Sequence, residues 1–208
     1  MPRIAIPRKT VYRLSLYFRC LQRLKANHIA TVSSAALAKA AGVKPPQLRK
    51  DLTYLGQFGT RGLGYDVEAL RGKLNDVLGT ARLQPVILVG LGNLGAALLR
   101  YGGFAKEGFE IVAAFDSDSS SAKKRVADLS VDVLSMPRLK ELVRAKKVKM
   151  AILAVPGTAA QEVANELVGA GIQGILNFSP IILHVPDGVV VNSVDLAIEL
   201  ENLSYFIQ

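Results

Sequence analysis

The chain has 208 residues, half of them hydrophobic and 21% charged, with a formal net charge of +9; that is apolar material for one core or two small ones, and it argues against disorder. No apolar run reaches the roughly 18 residues a membrane span needs, and the charged start MPRIAIPRKT is followed by no apolar leader segment, so a soluble, cytoplasmic protein without a membrane partner is expected. The single cysteine, Cys20, excludes an intrachain disulfide and a cysteine metal cluster, and with only His28 and His184 besides, no metal is expected.

The charge is unevenly placed. Residues 1 to 80 hold 14 Lys and Arg against 4 Asp and Glu, while residues 81 to 208 hold 12 against 13. A step of this kind separates a segment that meets a polyanion from one that does not.

Within the basic part, TVYRLSLYFRCLQRL sets Val11, Leu14, Phe18, Leu21 and Leu24 at helical spacing, with Arg13, Arg19, Gln22 and Arg23 mostly off the stripe. Ser33 or Ser34 caps a second helix, AALAKAA, which Gly42 stops. A third helix follows in KPPQLRKDLTYLG, with Pro45 or Pro46 in its first turn, where a missing N–H costs little. Leu48, Leu52 and Leu55 form its packing face; Gln47, Lys50 and Tyr54 fall on another side, flanked by Arg49. Long donors on one face suit a major groove, and the same pattern also fits a surface helix with a solvated charged face.

Next, GQFGTRGLGY carries four glycines around Arg61, between Phe58 and Tyr65. That is hairpin chemistry with a basic residue at the tip, as in the wing of a winged helix reaching into a minor groove. The residues expected to meet DNA are Ser34, Lys44, Gln47, Arg49, Lys50, Tyr54 and Arg61.

PVILVGLGNLG reads as a buried strand running into Gly90, Gly92 and Gly95 in G-x-G-x-x-G register, followed by AALLRYGGF, which continues helically. The loop Gly90, Leu91, Gly92, Asn93, Leu94, Gly95 is expected to approach a pyrophosphate at a helix N-terminus. FEIVAAFD gives a second strand ending at Asp116, 21 residues beyond Gly95, where an acid binds adenosine ribose hydroxyls. Its charge favours NAD(H) over NADP(H), although Lys123, Lys124 and Arg125 are close in sequence; a strand-end turn is its other reading.

VKMAILAVP and IQGILNFSP are further strands, with the amphipathic helix TAAQEVANELVGAG between them. Their ends put Val155, Pro156, Asn177, Phe178 and Ser179 among the candidates for the nicotinamide end, with plain loop chemistry as the alternative. In VNSVDLAIELENLSYFIQ, Asn192 or Ser193 caps a terminal helix whose Leu196, Leu200, Leu203 and Ile207 need a surface, in their own domain or a partner.

The fold expected is α/β: an N-terminal winged-helix (helix-turn-helix) domain over residues 1–79, a C-terminal Rossmann-like doubly wound parallel sheet over 80–190, and a terminal helix over 191–208. No catalytic residue is assigned, because His184 in LHVPDG has no acid paired with it in sequence and little chain remains for a substrate domain. A small NAD-dependent oxidoreductase with a basic N-terminal region remains the other reading, and a nucleoid-type structural protein a third.

Taken together, RLSLYFRCL, QLRKDLTYLGQFGTRGLGY, VGLGNLG, GIQGILNFSP and NSVDLAIELENLSY resemble the family of the redox-sensing transcriptional repressor Rex. The resemblance implies a homodimer with exchanged C-terminal helices, binding double-stranded operator DNA when NAD+ prevails and releasing it when NADH rises, with NAD(H) as effector ligand. It further implies that Arg19, Tyr101 and Asp195 form a polar network distinguishing the two cofactor states. Leu196 stands where some relatives carry an aromatic beside the nicotinamide.

Overall fold

Alternation of short apolar runs with amphipathic segments produces, beyond residue 83, one parallel sheet with helices on both faces, and before it a small helical unit. The computed structural model describes residues 6–56, 59–60 and 63–207. The chain divides between Arg82 and Leu83 into two compact units.

The first unit runs α1 (Arg8–Ala26), β1 (Thr31–Val32), α2 (Ser34–Ala40), α3 (Pro45–Leu52), β2 (Tyr65–Asp66) and α4 (Val67–Leu78). Its core gathers Leu14, Tyr17, Phe18 and Leu21 of α1, Leu37 of α2, Leu48 and Leu52 of α3, and Leu70 and Leu74 of α4. Val11, expected on the buried stripe of α1, is exposed. The stripe runs instead through Leu14, Tyr17, Phe18 and Leu21, because Tyr17 and Cys20 turn inward. Ser33 caps α2, its side chain accepting from Ala36 N–H at 3.1 Å, and Gly42 follows with φ +68, which a side chain would strain. The third helix ends two residues before Tyr54, since Thr53–Leu55 tightens into a 3₁₀ turn. β1 and β2 pair antiparallel, Val32 opposite Tyr65. Before β2, Thr60 N–H donates to Gly64 O at 3.0 Å and Gly64 N–H to Thr60 O at 3.1 Å, pairing these two residues.

The second unit runs β3 (Gln84–Val89), α5 (Asn93–Arg100), α6 (Gly103–Lys106), β4 (Phe109–Phe115), α7 (Ser119–Arg125), β5 (Val133–Leu134), α8 (Leu139–Ala145), β6 (Met150–Leu153), α9 (Gly157–Ala170), β7 (Gly174–Asn177), β8 (Val190–Ser193) and α10 (Leu196–Phe206). The strands lie side by side in the order β5-β4-β3-β6-β7-β8, all parallel. Relative to the first strand of the unit this is the 3-2-1-4-5-6 order of a doubly wound sheet, whose order reverses between β3 and β6. Leu139, Val143, Ala160, Ala164 and Leu167 of α8 and α9 cover one face, and Ala96 and Ala122 of α5 and α7 contribute to the other. Burial on both faces explains why β3 reads as an unbroken apolar run.

Two expectations about helix ends are corrected. The helix after the glycine loop stops at Arg100, and Tyr101 leaves it with ψ 98, so AALLRYGGF forms two helices with a break at Tyr101 and Gly102. The terminal segment does not begin as a helix at 191: residues 190–193 add a sixth strand beside β7, so Asn192 and Ser193 pair in the sheet. Asp195 is the cap instead, its Oδ1 accepting from Ala197 N–H at 2.9 Å and Ile198 N–H at 3.3 Å.

Candidate functional site

In a doubly wound sheet the ligand crevice opens at the carboxyl ends of the strands flanking the reversal. β3 delivers Gly90 there and β6 delivers Ala154, Val155 and Pro156; Asp116 follows the last residue of β4 on one side, and β7 ends at Asn177 on the other. The expected cofactor residues at the glycine loop and the ends of these four strands therefore lie along one side of one sheet, whereas Tyr101 comes after the last residue of α5.

Each fingerprint glycine has a different physical task. Gly90 has φ +94, and a Cβ on it would fall 2.5 Å from Ala154 O, so only glycine lets β3 turn beside β6. A Cβ on Gly95 would run into the carbonyl oxygen of Gly90, so this residue lets α5 lie against the strand end. Gly92 meets nothing within 4 Å and is exposed, leaving open space over the first turn of α5. The first N–H groups of a helix have no partner within it, so an open, side-chain-free approach at that point fits a pyrophosphate. Asn93 and Leu94 are exposed beside it, whereas the Leu91 side chain is fully buried and offers only its backbone.

That backbone is held from both sides. Leu91 N–H donates to Asp116 Oδ2 at 2.7 Å, and Leu91 O accepts from Arg125 Nη1. Asp116 Oδ1 also accepts from Asp118 N–H at 2.9 Å. Asp116 thus braces the glycine loop, a task the spacing did not reveal. A carboxylate has about four lone-pair sites, so two remain for ribose hydroxyls. The residues present fit a dinucleotide.

At the other end of the crevice, Asn177 and Ser179 are buried and serve the loop itself. Asn177 Nδ2 donates to Ile181 O at 3.0 Å and Ser179 O at 3.2 Å, its Oδ1 accepts from Ser179 N–H at 2.9 Å, and Ser179 Oγ donates to Val155 O at 2.7 Å. These side chains are turned inward, so their part is to shape the wall; Val155, Pro156 and Phe178 are the residues with surface to offer. Tyr101 is 61% exposed and stacks edge-on against Phe104 at 5.1 Å. His184 lies in the loop before β8, where Gln161 of α9 bonds both its backbone N–H and its C=O at 2.9 Å.

In the first unit, Lys44, Arg49 and Lys50 are exposed and Ser34 and Tyr54 are half-buried. Arg49 Nη1 lies 3.4 Å from Ser34 Oγ, joining the start of α2 and the middle of α3. Arg61, expected at the wing tip, lies outside the described residues, as does Phe58. Arg19 is exposed on α1. Gln47, expected to meet DNA, is half-buried, and its Nε2 donates to Asp51 Oδ1 at 2.9 Å.

Asp51 is the residue that sequence reading missed. It is 1% exposed in the last turn of a basic helix. Arg13 donates to it through Nε at 2.6 Å and Nη2 at 2.7 Å, and Tyr17 through its hydroxyl at 2.8 Å. Burial works to raise the Asp51 pKa, and the bonds from Arg13, Tyr17 and Gln47 overcome it, holding the carboxyl below its ordinary range. The Tyr17 phenol is pushed up, by burial first and then by its bond to Asp51. The available signal was the acid itself, a lone negative residue in QLRKDL placed four residues after Gln47.

Among the described residues no cluster of His, Cys, Asp or Glu could hold a metal ion, and no helix is long and apolar enough to cross a membrane.

Comparison with known proteins bears on both units. The family model described as "Putative DNA-binding protein N-terminus" matches residues 5–53, and that of the CoA binding domain matches residues 82–181. The chain is 45% identical to the redox-sensing transcriptional repressor Rex of Pelotomaculum thermopropionicum, over 99% of its own length and 95% of the relative's. It is 48% identical to that of Streptomyces coelicolor, over 96% of this chain and 77% of the other. Among solved structures, RSP in complex with beta-NAD+ and operator DNA aligns with a TM-score of 0.87 at 34% identity, covering 98% of this chain and 93% of that one. RSP in complex with beta-NADH aligns at 0.83 and 33%, covering 98% and 95%.

Proposed function

The chain belongs to the Rex family of redox-sensing transcriptional repressors, and on that premise we propose how its parts divide the task. Residues 1–79 bind double-stranded operator DNA, the sheet from residue 80 through β8 at Ser193 binds NAD(H) as an effector, and the terminal helix α10, Leu196–Phe206, joins two copies into a homodimer. The protein occupies its operator when NAD+ prevails and leaves it when NADH rises. It is a regulator and not an enzyme: the nucleotide is read and does not turn over.

The observation that carries this reading is the pairing, in one chain, of a basic helical unit with a glycine-loop crevice at the reversal point of a 3-2-1-4-5-6 sheet. When bound, the dinucleotide supplies a nicotinamide whose charge differs between oxidised and reduced forms. In the loop Gly90 to Gly95, the N–H groups of Gly90 and Leu91 are given to Phe115 O and Asp116 Oδ2, and the backbone N–H groups that follow hold its pyrophosphate, Asp116 its ribose, and Val155, Pro156 and Phe178 line the nicotinamide end, over a wall set by Asn177 and Ser179. Arg19, Tyr101 and Asp195 are the polar groups that tell the two forms apart; the two helix-capping bonds of Asp195 both fall on Oδ1. A ligand shifts a conformational equilibrium only by its differential affinity for the two states, and a coupling of about 1 to 3 kcal/mol changes operator affinity roughly 5- to 150-fold.

On the DNA side, Ser34, Lys44, Arg49, Lys50 and Tyr54 meet backbone or bases from α2, α3 and the turn after it, and Arg61 enters the minor groove. The test is binding of the purified protein to a labelled palindromic duplex at fixed salt, titrated separately with NADH and NAD+. Release by NADH alone is expected; binding indifferent to both nucleotides overturns the reading. Repeating it across salt with Arg49→Ala and Arg61→Ala is expected to lower the slope of log affinity against log salt by about 1 for each phosphate that the variant no longer neutralises.

A further inference from the structure

Gln47, placed by its sequence spacing on the same side of α3 as Lys50 and Tyr54, also belongs to the buried Asp51 network. Its Nε2 donates to Asp51 Oδ1 at 2.9 Å. The two ends of an amide are alike in shape but not in chemistry. An ionised carboxylate only accepts, so the end of Gln47 turned to Asp51 must be its NH2. Asp51 is itself fixed, with Arg13 bonded to both its oxygens and Tyr17 to Oδ2. One N–H of Gln47 is therefore engaged; when the hydrogen given to Asp51 is the one trans to Oε1, the remaining N–H and Oε1 lie side by side in one plane. No hydrogen bond among the described residues falls on Oε1.

A coplanar donor and acceptor are what adenine requires in the major groove, where it presents N7 as acceptor and N6–H as donor; guanine presents two acceptors there. We infer that Gln47 reads the adenine of an A·T pair in each half-site, and that Asp51 is the positioning residue that sets its amide for that task. A glutamine free in solvent gives up rotamer freedom when it docks; this one has given up part of it on folding, which favours binding and fixes which face of the amide is offered. The inference rests on α3 being the DNA-reading helix, and its test separates the two.

The full chain is incubated with a library of random DNA duplexes and the bound fraction is sequenced, for the wild type, Gln47→Ala, Asp51→Asn and Tyr17→Phe. The wild type is expected to select a palindromic motif. Gln47→Ala is expected to lose the preference at one A·T position per half-site, by roughly 5- to 150-fold, and to keep it elsewhere. Asp51→Asn is expected to weaken the same position. Tyr17→Phe removes a bond to Asp51 without touching Gln47, so it lowers the melting temperature and keeps the whole motif, which a merely structural network would not do selectively. If Gln47→Ala selects the wild-type motif, or if Gln47→Ala and Asp51→Asn weaken every position evenly, the inference is wrong while α3 remains the reading helix. A wild type that selects no motif overturns the assignment of α3 and the inference with it. Gln47→Ala leaves the bonds of Arg13 and Tyr17 to Asp51 intact, so that arm decides even should Asp51→Asn fail to fold.

Discussion

Arg13 and Asp51 meet fork to fork, Nε 2.6 Å from Oδ2 and Nη2 2.7 Å from Oδ1, tying the first helix to the third across 38 residues of sequence. The acid is buried and the guanidinium partly exposed, so each depends unequally on the other. Removing the carboxylate leaves a cation, a phenol and an amide facing an apolar core.

Asp51→Ala is therefore expected to destabilise the first unit by about 3 kcal/mol, the lower end of what breaking a buried pair costs. The pH dependence follows from the direction of the shift. The folded pKa of Asp51 lies below its ordinary value, so its stabilising contribution is complete above an unfolded pKa of about 3.9 and is lost as pH falls through the folded value. Urea denaturation followed by circular dichroism, for the wild type and Asp51→Asn, should show a gap that is widest near neutrality and narrows below about pH 3.9.

Gly92 and Gly95 should respond in opposite ways to the same methyl group. Gly92→Ala adds a Cβ in open space at φ −63, and stability should change by less than about 0.5 kcal/mol. Its NADH affinity should fall by roughly an order of magnitude, because the methyl enters the open space proposed for the pyrophosphate. Gly95→Ala drives the methyl into Gly90 O and should cost about 3 kcal/mol of stability before any ligand is added. Thermal melts and isothermal titration with NADH, run on both variants, check the contrast.

Asp116 holds the glycine loop and is proposed to bind the ribose, so Asp116→Ala should weaken NADH by about 1.5 to 3 kcal/mol, the worth of a hydrogen bond to a charged group. NADPH should gain relative to NADH, since the charge opposing a 2′-phosphate is gone. Paired titrations of the two nucleotides measure this; an unchanged ratio would remove Asp116 from the choice between them.

Every residue of α10 is exposed, including Leu196, Leu200 and Leu203 on one apolar side, with Ile207 just beyond. If this surface joins two copies, Leu200→Asp should shift the protein from dimer to monomer in sedimentation velocity and leave the melting of the sheet nearly unchanged.

The elements with strong periodicity can be read directly from the residues. Leu14, Phe18 and Leu21 announce α1, and the glycine register announces the β3–α5 turn. What escapes is whatever depends on distant partners. Asp51 looks like one more solvated charge, because nothing local distinguishes a carboxylate awaiting water from one awaiting Arg13, 38 residues away. Asn192 and Ser193 are both good cap residues; that they form a strand is decided by the free edge of β7, a tertiary fact. Asn177 and Ser179 sit where a cofactor site should be, and only the hydrogen bonds reveal that they face inward.

The junction between β8 and α10 consists of Val194 and Asp195 alone. Val194 N–H donates to Asn177 O at 2.8 Å, and the Asn177 side chain reaches Ser193 Oγ at 3.4 Å while also gripping the loop at Ser179 and Ile181. A linkage this short has no slack. The residue that receives the backbone just before the terminal helix is thus the same asparagine whose side chain holds the loop at the crevice wall, so the start of that helix and the wall share one anchor.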